Sequence, residues 1–151
     1  MLATEHTEHT EEASVSDNAS MRDPITYRIL GAYFRVYRCM GWGFLEAVYR
    51  RAMVLALQDA GARVASEATM PVFFAGRLVG EFRADLIVDD RVVVELKTSE
   101  RIAPEHRAQL LNYLKASTIE HGLLLNFGPR PEFERLLLTN DRKEPRPLQF
   151  R

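Results

Sequence analysis

The sequence predicts an α/β (α+β) domain of order α-β-β-β-α-β, with a central mixed sheet flanked by helices. Three observations carry that expectation. Apolar residues recur at helical spacing on both sides of the segment CMGWG, the pattern turns to alternation after Gly61, and a later helical stretch separates three strand-like runs from a fourth, HGLLLNF. At 151 residues the chain has the length of one domain, so a single core is expected.

Residues 1 to 22 have almost no large apolar side chains, include the short repeat EHTEHTEE, and are expected to form a disordered acidic tail. His6 and His9 fall in this tail and read as solvated residues rather than metal ligands. At Asp23 the pattern changes. Asp23 can cap a helix with Pro24 at its first position, and Ile25, Ile29, Tyr33 and Val36 continue it to about Arg38. After the glycines a second helix runs from about Phe44 to Ala60, with Leu45, Val48, Ala52 and Leu55 as its expected buried stripe, and Gly61 stops it.

Three strands follow, Val64 to Phe74, Leu78 to Val88 and Val92 to Thr98, with AGR and DD as turn signals, and they read as an antiparallel meander. Pro104 opens a third helix through about Ala116, and His121 to Phe127 suits a buried strand. Residues 132 to 138 fit an edge strand or a short helix. The expected domain spans residues 23 to 140, and residues 141 to 151, polar and interrupted by prolines, are expected to be peripheral.

Composition narrows the function. With 46% hydrophobic and 27% charged residues the chain has a globular composition, and no apolar run approaches the ~20 residues of a membrane span. The N-terminus lacks the basic and then apolar pattern of a secretion signal, which gives a cytoplasmic expectation. The single Cys39 excludes an intrachain disulfide and any multi-cysteine metal cage, and it reads as a small buried residue. A bound metal would need oxygen ligands. The net charge of -1 divides into a tail of -5 (residues 1 to 23) and a body of +4, compatible with a polyanionic partner but short of a basic footprint that would identify one.

The chemistry concentrates in RADLIVDDRVVVELKTS. Alternation puts Val92, Val94 and Leu96 on one face of a strand and Val93, Glu95 and Lys97 on the other, while Ala84, Leu86 and Val88 form the apolar face of the preceding strand and leave Asp85 opposite. Ionisable groups in such apolar surroundings must pair or bind a cation. Asp85 and Glu95 share a face only if the hairpin closes on three residues, Asp89 to Arg91. A two-residue Asp89-Asp90 turn separates them unless a bulge restores parity. If they do meet, two carboxylates suit Mg²⁺ or Mn²⁺, which neutralises phosphate charge and lowers the pKa of bound water, and a nearby lysine can serve that water. The plainer alternatives are surface ion pairs, Glu95 with Lys97 or Asp85 with Arg83.

Asp85, Glu95 and Lys97 in this element order resemble the signature of the PD-(D/E)XK nuclease superfamily. More narrowly, GFLEAVY (43 to 49), FRADLIVDDRVVVELK, QLLNYL (109 to 114) and GLLLNFG (122 to 128) together resemble the small GxxExxY protein family over about residues 24 to 139, with Trp42 a departure from the small residue or proline usual there. The resemblance implies a restriction-endonuclease-like fold. It also implies a helix glutamate, Glu46, joining Asp85 and Glu95 at the metal, and a QxxxY pair, Gln109 and Tyr113, bordering the site. Glu46 and Arg50 are four apart on one helix flank, and a simple pair between them is the plainer reading.

The remaining candidates have bland readings first. Trp42, Phe44 and Tyr49 could stack on bases, but aromatics at a helix start usually anchor a core. Arg28, Arg35 and Arg38 fit a solvated helix face as well as phosphate contacts, and His106 reads as a surface residue. The leading expectation is a Mg²⁺-dependent (or Mn²⁺-dependent) nuclease-like phosphodiesterase acting on nucleic acid, DNA first and RNA second. The catalytic set would be Asp85, Glu95, Lys97, Glu46, Gln109 and Tyr113. The alternative is a noncatalytic nucleic-acid-binding or protein-interaction module retaining the fold. No membrane partner is expected, and a homodimer is compatible.

Overall fold

The computed structural model describes residues 23–143; the expectations for the acidic tail and for residues 144–151 lie outside them. Helix α1 spans Pro24–Met40, and Asp23 caps it by accepting from the Thr26 backbone N–H. Helix α2 spans Glu46–Asp59. The strands are β1 Val64–Phe74, β2 Arg77–Val88, β3 Val92–Lys97, β4 His121–Phe127 and β5 Pro131–Leu137, with α3, Pro104–Ala116, between β3 and β4. The five strands form one sheet in chain order, antiparallel except for the β3–β4 pair, which is parallel. The mixed sheet flanked by helices is the expected architecture. Residues 131 to 137 take the strand alternative.

Two apolar clusters sandwich the sheet. On one side α1 and α2 pack Ile29, Tyr33, Tyr49, Met53 and Leu57 against Leu86, Val94, Leu96, Leu123 and Leu125. On the other, Leu110, Tyr113 and Leu114 of α3 pack against Ala84, Val93 and Leu124. The β3 strand is buried on both faces, as a strand between two helical layers must be.

Two expectations about burial are corrected. Helix α2 buries Tyr49, Met53, Ala56 and Leu57, not the stripe through Leu45, Val48 and Leu55, which is exposed. Both stripes are apolar. The choice is made by Tyr49, whose ring stacks on Phe127 at 4.2 Å and whose hydroxyl donates to the Gly41 carbonyl at 2.7 Å. The second correction is on β2, where Leu86 and Val88 face α1 and α2 but Ala84 joins the cluster under α3. The alternation breaks at Asp85. Opposite it on β1, Glu67 has φ 53 and pairs with nothing in the ladder, although Ser66 pairs with Leu86 and Ala68 with Ala84. A left-handed residue in a strand is a bulge-like defect that turns the chain over.

Three smaller departures complete the account. Cys39 is exposed rather than buried. So are Trp42 and Phe44, which do not anchor the core. Lys143, in the segment expected to be peripheral, is buried and donates to the Ser117 and Ile119 carbonyls beyond the end of α3, at 2.9 and 2.7 Å.

Candidate active site

The hairpin between β2 and β3 satisfies the parity condition. Asp89 and Asp90 have φ 52 and 56, and Arg91 N–H donates to the Val88 carbonyl, which is a two-residue turn of the primed kind. Yet Val88 pairs with Val92, so Arg91 is the extra residue that restores register. The ladder ends at Leu86 and Val94, and the next positions on each strand are Asp85 and Glu95.

There the side chains replace the ladder. The Asp85 backbone N–H donates to Glu95 Oε1 at 3.0 Å, and the Leu96 N–H donates to Asp85 Oδ2 at 2.8 Å. Each carboxylate thus caps the other strand's backbone, and the two acids converge where the strands part. Glu95 is only 3% exposed, and its pKa is pushed up to about 8, by burial first and then by the charge of Asp85. A buried acid beside a second acid holds a proton until a positive charge replaces it. The pair Glu95–Lys97 that the plainer reading expected is not formed among the described residues.

Lys97 turns instead to α3. Its Nζ donates to Gln109 Oε1 at 2.9 Å, Gln109 Nε2 donates to the Tyr113 hydroxyl at 3.1 Å, and that hydroxyl donates to the Arg83 carbonyl at 3.1 Å. The QxxxY pair is a hydrogen-bonded strut from β2 to the lysine. The Tyr113 hydroxyl has its pKa raised to about 12, by burial and then by the charges of Glu95 and Asp85, so it remains a neutral donor. His106 is not a free base: its Nδ1 accepts from the Ala103 N–H at the start of α3, and burial followed by the Lys97 charge lowers its pKa.

The α2 side is charged. The Glu46 pKa is raised by burial and then by Asp85, while Lys97 and Arg50 pull it back, which sets this carboxyl within the electrostatic reach of all three. Arg50 does not pair with Glu46. Its Nη1 lies 3.3 Å from Asp85 Oδ1 and its Nη2 lies 3.5 Å from Glu67 Oε1. Among the described residues no three His, Cys, Asp or Glu side chains are gathered into a cation cage, so the expected trio of acids is a converged pair with Glu46 beside it. Arg50 and Glu67 are site residues that sequence reasoning missed. Of the helix arginines, Arg28 pairs with Asp89 and Arg35 with Asp59.

Further missed residues support the site from behind. Buried Asn126 accepts from Ser99 N–H and donates to the Ser99 carbonyl, clamping the loop that follows β3. Gly128 is required there, because a Cβ would lie 2.2 Å from the Ser99 carbonyl oxygen. Glu132 accepts from the Ile102 N–H, and Glu134 pairs with Arg107, so β5 fixes the entry into α3. The alternation in PEFERLL was their one sequence signal.

A family model for the PD-(D/E)XK nuclease superfamily matches residues 23–136. With the mixed five-stranded sheet and the strand acids described above, the chain belongs to that superfamily. A solved structure, the crystal structure of SSO0001, superimposes with a TM-score of 0.51 at 22% identity, covering 64% of this chain and 52% of that one. The chain therefore spans about half the length of that structure, and the likeness is one of fold. No curated protein matches. The superfamily's nucleases work on nucleic acid and typically with divalent metals, and the donors here suit such an ion: two carboxylates, one of them deeply buried and in no ion pair among the described residues.

Proposed function

We propose that the protein is a nuclease of the GxxExxY group that hydrolyses phosphodiester bonds in DNA with Mg²⁺ or Mn²⁺. The observation that carries this reading is the crossing of Asp85 and Glu95, each carboxylate on the opposite strand's backbone, with Lys97 on the same strand end. Structural ion pairs alone do not explain it. A surface salt bridge would expose the acids, and a pure binding surface for phosphates would gain nothing from two carboxylates facing them.

Asp85 and Glu95 are the residues that would hold the cation, with Glu46 completing its shell directly or through water. Bound there, the ion would neutralise phosphate charge and supply a more acidic water. The chain's own residues do the rest. Lys97, its Nζ held by Gln109, would hold the attacking water or the charge developing on the phosphate. Tyr113 is a neutral hydroxyl that keeps Gln109 in its rotamer and lets the amide oxygen face the lysine. Glu46 and Arg50 set the local charge at the α2 edge.

The test is cleavage of linear, nicked and single-stranded DNA and of RNA, with Mg²⁺ or Mn²⁺, by wild type, Asp85→Ala and Lys97→Ala. Wild-type cleavage lost in Asp85→Ala and reduced ~100-fold or more in Lys97→Ala is expected. Lack of cleavage of any substrate by wild type that binds the metal would favour the noncatalytic module.

A further inference from the structure

The loop before α2, which leads into Glu46, presents two aromatic rings to solvent. Trp42 is 60% exposed and Phe44 50%, and Leu45 and Val48 extend the apolar surface. Exposure of this kind is costly unless something covers the rings. The loop is not slack. The Tyr49 hydroxyl accepts from the Phe44 N–H at 3.3 Å and donates to the Gly41 carbonyl at 2.7 Å, so one buried side chain holds both ends. Gly41 and Gly43 have φ 67 and 113, a conformation that favours glycine and fixes the direction of the rings between and after them.

The loop's position follows from Tyr49. Its ring lies on Phe127 at the end of β4, and the preceding residue, Asn126, pairs with Lys97 of β3. Glu46, the residue after Leu45, feels both Asp85 and Lys97. The same end of the sheet gathers three loops: Tyr37, one turn before Gly41, donates to the Gly128 carbonyl, and Gly128 packs on Ser99. Arg38 lies in the last turn of α1, just before the first of these loops, and Arg101 and Arg130 lie in the other two. All are exposed, and none forms an ion pair among the described residues.

Exposed aromatics on a fixed loop, with exposed arginines at the same end of the sheet, fit a strand whose bases are free to stack and whose phosphates need countercharge. A duplex keeps its base faces covered and would leave the rings in water. We propose that the Gly41–Leu45 loop is a base-stacking platform that makes single-stranded nucleic acid the substrate of the acid–lysine site. Trp42 and Phe44 contact bases, and Arg38, Arg101 and Arg130 contact phosphates. This rests on the nucleolytic reading above and adds strandedness to it.

Trp42 is the chain's only tryptophan, so its fluorescence reports the platform directly. The full chain is titrated in Mg²⁺ with a phosphorothioate oligothymidine, which resists cleavage, and with a blunt duplex of the same length; binding is followed separately by anisotropy of a labelled strand. The single strand should quench Trp42 and the duplex should not. Trp42→Ala and Phe44→Ala should each weaken single-strand binding about tenfold, and Trp42→Phe about twofold or less. Mn²⁺ affinity should be unchanged in all three variants, which also shows that they fold. Equal quenching by the duplex, or wild-type affinity in both alanine variants, overturns the platform and leaves the metal site standing. A Trp42→Ala chain that loses self-association but binds the strand normally also overturns it, in favour of a protein–protein face. Absence of binding to any oligonucleotide overturns the platform and the nucleolytic reading together.

Discussion

The two helices that flank the strand acids treat them in opposite ways. Helix α3 offers neutral groups in a single chain of hydrogen bonds, from Lys97 through Gln109 and Tyr113 to the Arg83 carbonyl. Helix α2 offers charges with alternatives: Arg50 divides between Asp85 and Glu67, and Glu46 is pulled one way by Asp85 and the other by Lys97. A neutral strut fixes position, whereas a divided charge sets a local potential that a cation can change. The α3 side positions the lysine, and the α2 side tunes how strongly the acids call for positive charge.

Breaking the α3 strut should have the larger effect. Gln109→Ala is expected to lower cleavage about tenfold with Mn²⁺ affinity retained, since it releases Lys97 without touching an acid. The double variant Lys97→Ala/Gln109→Ala should be no slower than Lys97→Ala alone. A double-mutant cycle measures this, and additive losses would mean that Gln109 acts independently of the lysine.

On the α2 side the effects are smaller and of opposite sign. Arg50→Gln removes a guanidinium from Asp85, so Mn²⁺ affinity measured by calorimetry should rise about fivefold, the worth of a partly exposed ion pair of ~1 kcal/mol. Glu67→Gln leaves Arg50 with Asp85 as its remaining partner and should weaken Mn²⁺ binding slightly. The same direction in both variants would contradict the division of Arg50 between the two acids.

A separate effect is in the pH dependence of stability. The folded chain holds the Glu95 proton more tightly than the unfolded chain does, because burial and Asp85 raise its pKa to about 8. Its contribution to stability is therefore full below the ordinary carboxylate range and is lost as pH rises toward about 8. Thermal midpoints of wild type should fall across that window more than those of Glu95→Gln, and a parallel fall would show that other groups govern it.

Much of the fold was legible because periodicity and punctuation agreed: Pro24, Gly61 and Pro104 mark helix ends, and the change from helical to alternating pattern marks the sheet. What failed was two-sided. Helix α2 carries apolar residues at 45, 48, 52 and 55 and again at 49, 53, 56 and 57, and only the long-range contact of Tyr49 with Phe127 decides between them. The turn of β2 at Asp85 depends on Glu67, a non-glycine residue at positive φ, which leaves no composition signal.

In the site, the parity of the β2–β3 hairpin could be posed from the sequence as a condition, and the Arg91 bulge meets it. The Gln109–Tyr113 pairing followed from helical spacing and from the family resemblance. Arg50 was set against Glu46 because they are four apart, but Asp85 and Glu67, distant in sequence, compete for it more closely. The sequence shows Glu132 and Glu134 only as an alternation and Asn126 only as one polar residue of GLLLNFG, because their partners lie across the fold.

The central claim is that Asp85 and Glu95 form one cation site that Lys97 borders without ligating. Calorimetric titration of Mn²⁺ into wild type, Asp85→Ala, Glu95→Ala and Lys97→Ala near pH 8, where Glu95 is partly ionised and its proton is easily displaced, tests it most directly. The account predicts saturable binding in wild type and Lys97→Ala and its loss in both acid variants. Binding that survives Asp85→Ala and Glu95→Ala, or that is missing from wild type, would contradict it.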